Sequence, residues 1–179
     1  TNSKDFTNSL GMKFVKVPGT DILMCIHETR KKDYAAYAAE TPDVDDKWKS
    51  PVIDDIPVSD GDDHPVAKVS WDDAKAFCAW LSKKEGRAYR LPTDMEWSFA
   101  IGIGRDERST KDSTPEGLGK KFGDYSWGKA WPPPKAAANL ADMTWKAKRP
   151  DTKFFIDGYT DGYVTTSPVM SFKANNLGI

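Results

Sequence analysis

Cysteine is nearly absent, with 2 residues in 179, Cys25 and Cys78. Two cysteines cannot make a disulfide framework. Each lies in an apolar run, Leu23-Met24-Cys25-Ile26 and Phe77-Cys78-Ala79-Trp80, where a free thiol packs as a small hydrophobe. Histidine is equally scarce, at 2. Cys25, His27, His64 and Cys78 would form a tetrahedral zinc site only by converging, since no C-x-x-C or H-x-x-x-H pair is present. His27-Glu28 fails the H-E-x-x-H pattern because position 31 is Lys. Both histidines read as surface or hydrogen-bonded residues. Long apolar runs are missing, so no segment spans a bilayer and no membrane partner is expected. Excess charge is missing too: 26 basic residues face 27 acidic ones, for a net charge of −1. That balance argues against a nucleic-acid or anionic-membrane partner. No signal peptide is visible, and the chain starts at Thr1 instead of Met, which fits removal of an upstream segment. The compartment stays open, and export or attachment to a larger protein both fit.

Aromatic and turn-forming residues are plentiful. The chain holds 7 Trp, 8 Phe and 6 Tyr with 13 Gly and 12 Pro, which disfavours a helical bundle and favours an irregular α+β domain. Its length suits one domain with a sizeable core. Met12–Val17 alternates polar and apolar residues and ends at Pro18-Gly19, a strand followed by a turn. Ile22–Ile26 is continuously apolar and predicts a buried strand. Thr29 is placed to cap a short helix whose inner face carries Tyr34, Tyr37 and Ala38. Glu40–Asp63, acidic and broken by Pro42, Pro51 and Pro57, reads as a surface excursion. Within it, Asp60-Gly61-Asp62-Asp63-His64 fails the EF-hand spacing and reads as a solvated turn. Gly102–Gly123 has no periodicity and predicts a mobile surface loop. Gly102-Ile103-Gly104 follows a helix and lacks a third glycine, so it is no dinucleotide motif.

The stretch from Val66 to Ala100 organises the rest. Ser70 before Trp71-Asp72-Asp73, and Thr93 before Asp94-Met95-Glu96, are two capping boxes. The acids sit where the helix dipole favours negative charge, and capping accounts for them before acid/base chemistry does. Trp71, Ala74, Phe77, Cys78 and Leu81 form a helical apolar stripe, and Gly86 supplies a left-handed stop. Pro92 separates the extended Tyr89-Arg90-Leu91 from the second helix.

V-S-W-D-D-A-x-A-F-C-x-W-L-S, then Y-R-L-P-T-D-x-E-W-S-F-A, resembles the signature of the formylglycine-generating enzyme (sulfatase-modifying factor) family. The opening G-M-K-F-V-K-V-P-G and E-T-R-x-x-D-Y-A-A-Y fit the same family, although Arg30 replaces its usual small residue. Tyr125-Ser126-Trp127-Gly128, Ala138-Asn139-Leu140, Asp157–Val169 and the final Asn175–Ile179 resemble its later motifs. The resemblance implies an α+β, C-type-lectin-like fold with two main helices, short twisted antiparallel strands and much irregular loop. It also implies one such domain over residues 1–179, expected to be incomplete at its C-terminus because the last motif breaks off at Leu177-Gly178-Ile179.

By that resemblance, a structural Ca²⁺ is expected at Asn139, Leu140, Asp161 and Tyr163, with Asp157 as a nearby substitute. The bland reading of those Asn and Asp-Gly pairs is a loop held without metal. Family enzymes oxidise a substrate cysteine to formylglycine with O₂ and with copper on two cysteines near the domain's end. Cys25 and Cys78 align with a strand and a helix instead, so copper is implied only if a C-terminal part supplies cysteines, and no residue here inherits the catalytic role. Two readings stay open: a non-catalytic binding or scaffold module, of the kind bacterial members append to larger proteins, or the N-terminal portion of a copper-dependent oxidase acting on a sulfatase cysteine. A protein or peptide partner is expected. Trp127, Trp131 and Trp145 with Pro132-Pro133-Pro134 could line a peptide or sugar groove by stacking, although core and turn packing accounts for most of them first.

Overall fold

Short strands fall in the first part of the chain and helices follow, in a computed structural model that describes residues 4–107, 113–118 and 125–179. The first half runs β1 (Phe6–Thr7), β2 (Lys13–Lys16), β3 (Leu23–Cys25), α1 (Lys31–Glu40), β4 (Val52–Ile53), β5 (Ile56–Pro57) and α2 (Trp71–Glu85). Among the described residues the second half holds α3 (Asp94–Ala100), α4 (Gly104–Glu107), α5 (Pro115–Leu118) and α6 (Met143–Lys148), with an isolated bridge between Tyr125 and Gly128. This is an α+β fold with short antiparallel strands. The chain divides into two compact units, one of Thr1–His27, Arg90–Lys129 and Ala174–Ile179, the other of Glu28–Tyr89 and Ala130–Lys173.

In the first unit, β1, β2 and β3 form an antiparallel sheet in that order, with Phe14 opposite both Phe6 and Cys25. Phe6 and Phe14 stack at 5.0 Å, the cross-strand aromatic pairing that stabilises a short ladder. Met12, Val15 and Val17 are buried, while β3 is only half-buried along its length, so the continuous apolar run did not mean full burial. Thr93 caps α3 as predicted: its hydroxyl accepts from Glu96 N, and the Glu96 carboxylate accepts from Thr93 N at 2.8 Å. Arg90 donates twice to the same carboxylate at 2.7 and 2.6 Å. The guanidinium and the cap hold Glu96 down from 4.5 to about 2. Within Gly102–Gly123 the backbone forms α4 and α5 where a mobile loop was predicted, and residues 108–112 and 119–124 lie outside the described residues.

In the second unit, α1 and α2 enclose an aromatic cluster. Tyr34 meets Tyr37, Trp48 and Phe77 at centroid distances of 5.2, 5.4 and 6.0 Å. Leu81, four residues after Phe77 on α2, is 1% exposed. Burial and the neighbouring Asp73 push the Tyr34 phenol up to about 12. Ser70 and Asp73 close the capping box of α2, and Gly86 ends it at φ 63°. The predicted stripe is right at Phe77 and Leu81 but wrong at Trp71, which is 66% exposed with Lys75 Nζ 3.9 Å from its ring centroid. The cap of α1 also sits one residue later than predicted, at Arg30. Asp33, buried, reaches back to Arg30 N at 2.9 Å and pairs with the Arg30 guanidinium. Glu40–Asp63 is more than a surface excursion: Trp48 fills the aromatic cluster, and β4 and β5 form a hairpin. Its turn residues Asp54 and Asp55 have φ of 48° and 64°, the left-handed pair of a tight hairpin turn.

Candidate functional site

The expected calcium residues lie together in the second unit, on two loops flanking the N-terminus of α6. Tyr159 ties the loops: its hydroxyl donates to Ala138 O at 2.6 Å, and its carbonyl accepts from Met143 N at 3.1 Å. Ile156 N donates to Ala141 O at 2.8 Å. Gly162, at φ 89°, lets the chain turn so that Tyr163 N reaches back to Asp161 Oδ1 at 2.7 Å.

Asp161 is the hub. Its Oδ2 accepts from Leu140 N at 2.8 Å and from Asn139 Nδ2 at 3.0 Å. The Asn139 amide also lies 2.9 Å from Thr165 O. Carboxylate, amide and backbone carbonyl therefore meet at one point. An amide's oxygen and nitrogen exchange places on a half-turn of the group, so the same position can present oxygen. Oxygen donors of these three kinds are the set a hard divalent cation takes. Asn139, Leu140, Asp161 and Tyr163 are thus brought together by direct hydrogen bonds. Asp157 is exposed and stands apart from that network.

The sequence reading missed Asp142. It is fully buried, its Oδ1 accepting from Thr144 N at 2.7 Å and Trp145 N at 3.3 Å as the N-cap of α6. Its Oδ2 accepts from Asp161 N. The signal was an Asp immediately before the helical Met143-Thr144-Trp145, a cap pattern of the kind recognised at Ser70 and Thr93.

The other candidates separate. Cys25 Sγ lies 4.0 Å from His27 Nδ1 in the first unit. In the second, His64 Nδ1 is 2.9 Å from Thr166 Oγ1, and burial pushes the Cys78 thiol up. Neither cysteine is in a disulfide, and among the described residues no three His, Cys, Asp or Glu side chains gather as a metal group. Asp63 of the rejected EF-hand stretch pairs with Lys32 at 2.6 Å. Of the aromatic groove residues, Trp127 stacks on Tyr125 at 4.8 Å in the first unit, while Trp131 is exposed and Trp145 half-buried in the second. Among the described residues, no helix is long and apolar enough to cross a membrane.

Comparison with known proteins gives the relationship. The sulfatase-modifying factor enzyme 1-like domain model matches residues 5–179. Formylglycine-generating enzyme from Bos taurus is 32% identical over 133 residues, 74% of this chain and 28% of that protein. The enzyme from Thermomonospora curvata is 31% identical over 74% of this chain and 34% of its own length. Inactive C-alpha-formylglycine-generating enzyme 2 from Bos taurus is 33% identical over 72% of this chain and 33% of that protein. The chain thus spans about a third or less of these curated relatives. PvdO from Pseudomonas aeruginosa, at 19% identity, has a similar fold with a TM-score of 0.55, covering 98% of this chain and 69% of that one. With residues 5–179 matched, the chain belongs to the sulfatase-modifying factor enzyme 1-like family, that of the formylglycine-generating enzymes.

Proposed function

We propose that this formylglycine-generating-enzyme-like domain acts as a non-catalytic binding or scaffold module built around a structural calcium ion, with a protein or peptide as partner. The observation that carries it is the state of the thiols. Cys78 is moved by burial away from the thiolate that a soft Cu(I) ion selects, and Cys25 is a strand residue beside one imidazole. A family that includes relatives named inactive supports the same reading. Asn139 and Asp161 would hold calcium through side-chain oxygens, Leu140 and Tyr163 through their carbonyls. Bound there, the ion supplies positive charge to the Asp161 hub. The exposed Trp71, Trp131 and Phe154 offer apolar contact for a partner.

The names of the other relatives favour a second reading, in which this chain is the N-terminal portion of a copper-dependent oxidase acting on a sulfatase cysteine. Copper would then need cysteines from outside these 179 residues. One measurement tests the ion and a second separates the readings. Melting in calcium against melting in chelator should show a rise, about 2.7 kcal/mol of added stability at roughly 100 times the Kd. Identical curves would count against the ion. Incubation of the full-length gene product with Cu(I), O₂ and a cysteine-containing sulfatase peptide should leave the peptide unchanged, and copper-dependent formylglycine would overturn the module reading.

A further inference from the structure

We infer that Asp142 is the positioning residue of the Asp161 loop: it holds the loop in its cation-binding shape before any ion arrives. This rests on the calcium reading above and adds to it a residue outside the four expected ligands. One carboxylate does two jobs. Oδ1 caps α6 through Thr144 N and Trp145 N, and Oδ2 takes Asp161 N, so the helix start and the loop are pinned to the same buried group.

Charge points the same way. Asp142 is 0% exposed, and Asp161, hydrogen-bonded to it through its backbone, is half-buried. Neither carboxylate is paired with Lys, Arg or His among the described residues, although surface acids such as Asp63 and Asp54 are. Two neighbouring carboxylates met only by N–H dipoles stay short of positive charge, and a divalent cation at the Asp161 hub supplies it. Partners that orient a ligating carboxylate typically change metal affinity by about 10–100-fold when they are lost.

The test is Asp142→Asn in the 179-residue chain. Asparagine remains a good N-cap, so its oxygen keeps Thr144 N and Trp145 N. Its amide nitrogen then faces Asp161 N, donor against donor, and the tie is lost. Calcium titration followed calorimetrically should show affinity at least about tenfold weaker than in the unmutated chain. Loss of the buried tie lowers the melting temperature in chelator under either role, so the discriminating readout is the calcium-induced rise in melting temperature, which should shrink in Asp142→Asn and which a purely structural role would leave unchanged. Unmutated protein that ignores calcium overturns the calcium reading itself. Unmutated protein that binds calcium, with Asp142→Asn binding within about twofold, overturns this inference alone. Hydrogen exchange in the unmutated chain gives a variant-free arm. In chelator the Asp161 amide should be protected by the Asp142 carboxylate, and exchange at the rate of free peptide would overturn the inference.

Discussion

Replacing Glu96 by glutamine isolates the ion pair that closes the start of α3. The Glu96 carboxylate accepts from Arg90 twice and from Thr93 N, and its side chain is 10% exposed against 56% for Arg90. Held at about 2 in place of 4.5, it is charged in the folded chain at pH values where the unfolded chain is protonated. A carboxyl shifted that far corresponds to roughly 3 kcal/mol of folding stability. Arg90 stands largely in solvent, which screens the pair and brings the expected contribution to about 1–2 kcal/mol. The sign follows from the lowered folded-state pKa. The contribution is complete above 4.5 and is lost as the pH falls from 4.5 toward 2. The substituted amide keeps an oxygen for Thr93 N but carries no charge. Urea unfolding at pH 7, 4.5 and 3 should show the unmutated chain losing its advantage over Glu96→Gln as the pH falls. A stability difference unchanged across that range would refute the assignment of Glu96 as the acid-sensitive cap.

Gly104→Ala should cost about 1–3 kcal/mol, because a Cβ there would lie 2.5 Å from Phe99 Cγ and 2.9 Å from the Phe99 Cα, so rotating the ring cannot relieve it. Urea unfolding checks this, and a variant as stable as the parent would show that α4 can shift freely. Leu81→Ala empties a position 1% exposed and should destabilise by about 2–5 kcal/mol, read as a lower melting temperature.

Much of the architecture was legible in local chemistry. Ser70, Asp73 and Gly86 delimit α2, and Thr93 with Glu96 starts α3, because a cap needs only residues three or four apart. Two misreadings turned on what covers a residue and not on its local pattern. Trp48 looked like part of an acidic loop and is packed against Tyr34, and Trp71 continued an apolar stripe yet faces solvent over Lys75. Periodicity says which residues share a face and not whether anything covers it.

Sequence alone determined the helix caps, the α+β class and the family likeness, since these rest on short-range hydrogen bonding and on residue order. Only the tertiary structure brought Asn139 and Leu140 onto Asp161, 22 and 21 residues away, and tied Asp142 to the Asp161 backbone. A carboxylate's role depends on which N–H groups and charges fold around it. That arrangement forms only when the two loops are zipped together by Tyr159 and Ile156.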